Sequence, residues 1–181
     1  MIIGLCGYKG TGKSTAAEYL ENEYGFVRVN FKDGLVQEIT ERFPILLEEL
    51  KKTYTLSSIE DLFRIKPPLM RALMQEYGTD VRRKDDPDYW VKQWVAKVES
   101  TKVNIVTDDV RFFNELAAMG DLNGLLVRIT RPDVTSGGEH QSEKEQESFI
   151  EDFTIEGVPG SHKEIYKQVD AIIQTIKSNV D

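Results

Sequence analysis

The sequence predicts an α/β protein, and three observations carry that expectation. Five short apolar runs suited to buried parallel strands, at residues 2–6, 26–30, 103–107, 125–129 and 153–156, alternate with helix-patterned segments. A glycine-rich stretch, Gly7-Tyr8-Lys9-Gly10-Thr11-Gly12-Lys13-Ser14, joins the first run directly to a helix. The third run, Val103-Asn104-Ile105-Val106-Thr107, ends on the acidic pair Asp108-Asp109.

The remaining elements follow in chain order. Residues 33–64 read as short helical pieces broken at Pro44, a lobe outside the sheet. Pro67-Pro68 precedes a helix from about residue 69 to 77 that is expected to stop near Gly78. Asp86-Pro87 reads as an N-cap with proline at the first helical position, and Trp90, Trp94 and Val98 then share one stripe. Residues 132–147 are polar and contain Gly137-Gly138, the pattern of a mobile flap over an active site. At the end, Ile165, Val169, Ile172, Ile173 and Ile176 fall on one helical face, with Ser161 as cap.

Composition bounds the function. A chain of 181 residues with 40% hydrophobic content has the size and core of one ordinary domain. Its net charge of −8, from 31 acidic and 23 basic residues, argues against a general binder of nucleic acid or membrane surface. An anionic ligand must therefore meet locally placed cations. The one cysteine, Cys6, excludes an intramolecular disulfide, and no metal-ligand cluster stands out, which fits a reducing cytoplasm. The opening residues carry neither a basic leader nor a long apolar stretch, so neither export nor membrane insertion is expected.

Gly7 to Ser14 follows a strand and opens a helix, so its backbone N–H groups and the helix's positive end can wrap a polyphosphate, with the glycines leaving room. Gly7, Gly10, Thr11 and Gly12 would form the cradle. Lys13 would reach the β- and γ-phosphates, Ser14 would hold Mg²⁺, and Thr15 would bond the α-phosphate. The alternative is a plain glycine turn capping a helix. Asp108 and Asp109 stand at a strand's carboxyl end, where open parallel sheets bind ligands; Asp109 or Asp108 would serve the Mg²⁺ shell, and spacing does not choose between them. Arg111, Asn114 and Glu115 follow at a helix opening.

A third cluster is Arg71, Gln75, Gly78, Thr79 and Asp80, with Arg71 and Gln75 on one helical face. A guanidinium there suits a phosphate, and a solvated face is the plainer reading. Trp90 is either core or the edge of a base pocket. Arg131 follows the fourth strand and can approach a transferred phosphoryl group. Asp33, just after the second strand, either contacts an acceptor or caps a helix. His140 and Glu143 can latch the flap internally.

Together these residues resemble the deoxynucleoside monophosphate kinases of tailed bacteriophages, a branch of the P-loop nucleoside monophosphate kinases. Arg71-Ala72-Leu73-Met74-Gln75-Glu76-Tyr77-Gly78-Thr79-Asp80 is similar to that family's helix ending in Gly-Thr-Asp, and Tyr89-Trp90-Val91 to its aromatic helix. Asp109-Val110-Arg111 with Asn114-Glu115 is similar to its post-strand motif, Arg131-Pro132 to its fourth-strand exit, and His140, Ser142 and Glu143 to its flap. Where many members carry an asparagine after the last strand, this chain reads Thr154-Ile155-Glu156-Gly157.

The resemblance implies a five-stranded parallel sheet flanked by helices in a single kinase domain, with a helical acceptor-binding insertion over about 33–100 and a flap over about 131–150. It implies transfer of the γ-phosphoryl of ATP to a deoxynucleoside monophosphate, with Mg²⁺. Acceptor-site roles would fall on Arg71, Gln75, Gly78, Thr79, Trp90, Asp109, Arg111 and Glu115. The expected partners are ATP and the monophosphate, with no nucleic acid and no membrane; a homodimer is left open. Rival readings are a P-loop kinase for a nucleoside or dephospho-coenzyme A, in which Asp33 would be the base, a regulatory nucleotide-binding module, and a DNA-dependent motor.

Overall fold

A computed structural model describes residues 1–135 and 145–178, apart from the side chain of Asp80. The flap residues His140, Ser142 and Glu143 lie outside the described residues. The chain forms two compact units, one of residues 1–30 and 97–181 and the other of residues 31–96.

The first unit is built on five parallel strands, β1 (Ile2–Cys6), β2 (Val27–Arg28), β3 (Ile105–Thr107), β4 (Leu125–Thr130) and β5 (Phe153–Glu156), in the order β2-β3-β1-β4-β5. β1 is central, with Ile3 opposite both Val106 and Leu125. Alternation along β1 sorts the layers. Ile3 and Leu5 face a cluster that includes Ala16 and Leu20 of α1 (Lys13–Tyr24) and all five apolar residues of the stripe on α8 (His162–Ser178). Gly4 faces the other way, against Met119 of α7 (Phe113–Asp121). A Cβ on Gly4 would stand 2.2 Å from the Met119 sulfur, so helix and strand approach this closely only with glycine there. Helices therefore cover both faces, which is why the strands read as continuous apolar runs rather than alternating ones. Each of the α8 residues Ile165, Val169, Ile172, Ile173 and Ile176 is less than a tenth exposed, and burial of such a side chain is worth about 1.5–3 kcal/mol. Among the described residues no helix is long and apolar enough to cross a membrane.

The second unit is helical: α2 (Lys32–Arg42), α3 (Pro44–Thr53), α4 (Ile59–Ile65), α5 (Pro68–Gln75) and the greater part of α6 (Tyr89–Glu99). Its breaks follow the sequence. Pro44 begins α3, and Ser58 caps α4 reciprocally with Asp61, each side chain accepting the other's backbone N–H at 3.2 Å. Its core contains Leu35, Ile39, Leu47, Leu50, Leu62, Met70, Tyr77 and Trp90. α6 begins at Tyr89, two residues later than Asp86-Pro87 suggests, while Asp86 accepts the N–H of Asp88 at 3.1 Å.

One expectation fails here. Gly78 does not stop the helix after α5; the chain runs on as a π-helix, Glu76–Arg83. Side chains hold the wide turn in place. The Trp90 indole N–H donates to the Gly78 carbonyl at 2.9 Å, while Tyr77 and Arg82 both bond to Glu38 of α2.

Candidate functional site

The loop between β1 and α1 has the backbone of an anion cradle. Gly7, Gly10 and Gly12 carry φ of 131°, 89° and 113°, a region that L side chains rarely adopt, and a Cβ on Gly7 would stand 2.2 Å from the Ile129 carbonyl oxygen. Gly12, the N-cap of α1, brings no side chain to cap the helix, whose positive end opens at this loop. Buried Thr11 donates its hydroxyl to the Tyr8 carbonyl at 3.0 Å and closes the loop on itself. Lys13 lies folded over the loop, its Nζ donating to the carbonyls of Gly7 at 2.5 Å and Tyr8 at 2.7 Å. Thr15, in the first turn of α1, is half-buried.

β3 is β1's parallel neighbour, so their carboxyl ends lie side by side and bring the acidic pair to the loop. Ser14 donates its hydroxyl to Asp108 Oδ2 at 3.0 Å, making Asp108 the member of the pair bonded to Ser14. Asp108 is 5% exposed. Its N–H donates to buried Asn30 at 2.9 Å, and the Arg28 guanidinium meets Oδ2 at 3.2 Å while reaching Glu21 at 2.5 Å. Asp109 is buried as well. A hydroxyl and a carboxylate oxygen this close are the hard donors that Mg²⁺ takes from protein, leaving its other positions to phosphate and water. No group of three or more His, Cys, Asp or Glu suited to a metal occurs among the described residues. The pair therefore fits a cation shared with a phosphate better than an all-protein cage. Cys6, just before the loop, is sealed in the sheet; burial pushes its thiol up to about 11 although nearby Arg128 opposes the shift.

Downstream of β3, Glu115 is 2% exposed, and its Oε2 accepts the N–H of Arg111 at 2.8 Å and of Phe112 at 3.1 Å. The carboxylate thus caps α7 and fixes the backbone of Arg111, whose side chain is exposed. Its committed oxygen suits a positioning part rather than a ligand contact. Asn114 is half-buried in the first turn of α7. Arg131, after β4, is paired two-fold with Asp133 at 2.7 and 3.1 Å, and those bonds hold the Asp133 carboxyl below the usual range.

In the second unit, Arg71 and Gln75 are exposed on α5, Gly78 is buried and Thr79 is exposed. Trp90 is only 3% exposed, packed in the core with its ring edge-on to Tyr89, and it therefore presents no open face for a base. Its polar edge goes to Gly78 instead. Asp33 sits half-buried in the first turn of α2, a place that favours an acidic side chain. Sequence reasoning missed Glu38, which accepts from Tyr77 at 2.8 Å, from Arg82 at 2.7 and 3.0 Å, and from Tyr89. It also missed Arg28, Asn30 and Gln146, the last accepting the Gly7 N–H at 3.3 Å. Arg28 and Asn30 belong to an apolar run whose interruptions were the available signal; a lone glutamine in a polar stretch gives none.

Comparison with known proteins adds what geometry leaves open. The family model for deoxynucleotide monophosphate kinase matches residues 39–168. A protein of Acanthamoeba polyphaga mimivirus, named provisionally as a deoxynucleotide monophosphate kinase, is 32% identical over 164 residues, covering 82% of this chain and 83% of its own. Among solved structures, TT1252 from Thermus thermophilus superposes with a TM-score of 0.53 at 16% identity, covering 97% of this chain and 96% of that one, a likeness of fold alone. Shikimate kinase from Aquifex aeolicus gives a TM-score of 0.48 at 15% identity, covering 99% of this chain and 98% of its own. With its phosphate loop, its parallel sheet and a family match over well over half its length, the chain belongs to the deoxynucleotide monophosphate kinase family, as an ATP-dependent nucleotide kinase.

Proposed function

We propose that this kinase transfers the γ-phosphoryl of ATP to the 5′-phosphate of deoxynucleoside monophosphates, giving the diphosphate and ADP. The carrying observation is the cations of the first unit, Lys13, Arg111 and Arg131, with Arg71 of the second unit assigned from the resemblance. Lys13 lies in the loop, and Arg111 is held at the exposed opening of α7 by a buried carboxylate. Arg71 stands exposed on α5 and Arg131 follows β4. A monophosphate with second pKa near about 6 is mostly ionised at neutral pH, so it needs neutralising charge and no general base. A hydroxyl acceptor would need the reverse.

In this reading Gly7, Gly10, Thr11, Gly12 and Thr15 cradle the triphosphate and Lys13 leaves the loop carbonyls to meet its terminal phosphates. Ser14 and Asp108 would hold Mg²⁺, which would supply charge neutralisation for the phosphates; this moves the metal-facing assignment from Asp109 to Asp108 on the strength of the Ser14 bond. Arg71, Gln75 and Thr79 contact the acceptor phosphate and sugar, with Asp33 near the same ligand. Arg111 takes the acceptor phosphate, and Arg131 exchanges Asp133 for the transferred group. Glu115 and Trp90 act indirectly, through Arg111 and Gly78.

The test is a coupled assay of ADP release over deoxynucleoside and ribonucleoside monophosphates, nucleosides and dephospho-coenzyme A. Turnover with one or more deoxynucleoside monophosphates is expected, and Arg71→Ala and Arg111→Ala should raise KM for that acceptor. Turnover confined to a nucleoside or dephospho-coenzyme A, or unchanged acceptor kinetics in both variants, would sink the proposal.

A further inference from the structure

We infer that Gln146 is a positioning residue of the phosphate loop, holding Gly7 in its donor-binding conformation from the C-terminal end of the polar stretch 132–147. This rests on the reading that the loop takes ATP. Gln146 is 4% exposed, and its Oε1 accepts the Gly7 N–H from 139 residues away in sequence.

The segment that carries it is tied down from several sides. Arg128 of β4 donates through NH2 to the carbonyls of Gln146 at 3.0 Å and Phe149 at 2.9 Å, and through Nε to Glu151 at 2.9 Å. Glu145 accepts the N–H of Phe113 at 3.0 Å, and Tyr8, inside the loop, donates its hydroxyl to Glu147 at 2.6 Å. A side chain on so constrained a backbone loses little entropy in keeping its bond.

Gly7 is the residue that needs such a hold. It has φ of 131° and no Cβ, so local sterics alone leave it many conformations. Its carbonyl is engaged by Lys13 and its N–H by Gln146. Once Lys13 turns to a triphosphate, the carbonyl loses that partner while the Gln146 bond stays. Gln146 then carries the geometry of the loop's first residue, and its contribution appears in affinity for the donor.

Two variants separate bulk from hydrogen bonding. Gln146→Met keeps the volume and removes the amide acceptor; Gln146→Glu keeps an oxygen in place and adds a charge. Binding of a fluorescent ATP analogue is measured with no acceptor present, so an error in the acceptor assignment leaves the readout intact. For Gln146→Met the analogue should bind about fivefold more weakly, equally at low and high salt, while kcat at saturating ATP falls less than affinity does. For Gln146→Glu the acceptor oxygen is kept, so the Gly7 bond survives, and any loss comes from a buried charge that salt screens little; kcat at saturating ATP should again fall less than affinity does. Wild-type affinity in Gln146→Met, or equal losses in affinity and kcat in either variant, overturns the inference.

Discussion

Replacing Glu115 offers a sharp test of how the opening of α7 is held. Both bonds to the backbone, from Arg111 and Phe112, end on the same oxygen, Oε2, and the residue is 2% exposed. Glu115→Ala leaves two N–H groups without their acceptor, at about 1–3 kcal/mol each when water cannot replace it. The adjacent Arg111 is exposed, so water recovers part of the loss, and the expected destabilisation is about 2–4 kcal/mol. Glu115→Gln can place its amide oxygen where Oε2 was and keep both bonds. It gives up the charge at the helix's positive end, about 0.3–1 kcal/mol. Urea unfolding should be followed by far-UV circular dichroism, because Trp90 and Trp94 both lie in the other unit. Glutamine proving as damaging as alanine, or alanine costing less than about 1 kcal/mol, would refute the capping argument.

Lys13→Ala should reduce phosphoryl transfer about a hundredfold or more, and a variant keeping more than about a tenth of wild-type turnover would remove Lys13 from the proposed mechanism. Burial pushes the Glu38 carboxyl up, yet hydrogen bonds from Tyr89, Tyr77 and Arg82, with the Arg82 charge, outweigh it and hold the group below its ordinary 4.5. A depressed carboxyl contributes stability above its unfolded value, and that contribution is lost as pH falls through the folded one. Tryptophan fluorescence of the second unit should therefore report stability falling away below pH 4.5; Glu38→Gln should be less stable at neutral pH and lose less on acidification, and parallel acid curves would contradict this. Cys6, buried with its thiol pushed up to about 11, should resist a disulfide reagent at mildly alkaline pH until the protein is unfolded; prompt labelling of the native chain would show that the strand opens.

The architecture was legible because the signals that specify it are local. Strands covered on both faces must be apolar throughout, so all five runs stood out, and α8 announced itself through five apolar residues at helical spacing. The edge strand β2 is shorter than its apolar run, and just beyond it Asn30 directs its side-chain oxygen to the Asp108 N–H. The loop was legible as a motif because glycines, lysine and serine lie contiguous. Interactions between distant residues were hidden. Nothing in Gly78 or its neighbours tells that Glu38, about forty residues earlier, will hold both Tyr77 and Arg82 and carry the helix past the glycine. Trp90 could not be assigned from spacing, since a core ring and a pocket ring share the same stripe; the bond to Gly78 decides for the core.

Net charge and local charge answer different questions in this chain. At −8 overall, a polyanion gains nothing from the long-range field, and selection must come at contact. The cations at the loop have internal acceptors: Lys13 rests on two loop carbonyls, and Arg28 bridges Asp108 to Glu21. In the proposed reaction a triphosphate would replace those carbonyls as the partner of Lys13, and a charged phosphate is the stronger acceptor. Water or a neutral ligand has no such advantage over a carbonyl. The proposal asks the same exchange of Arg131, where a dianionic phosphate would compete with the single exposed carboxylate of Asp133. Under the proposed function, cations held on internal partners would yield to phosphates and not to neutral ligands, which would reconcile an acidic protein with a reaction between two anions.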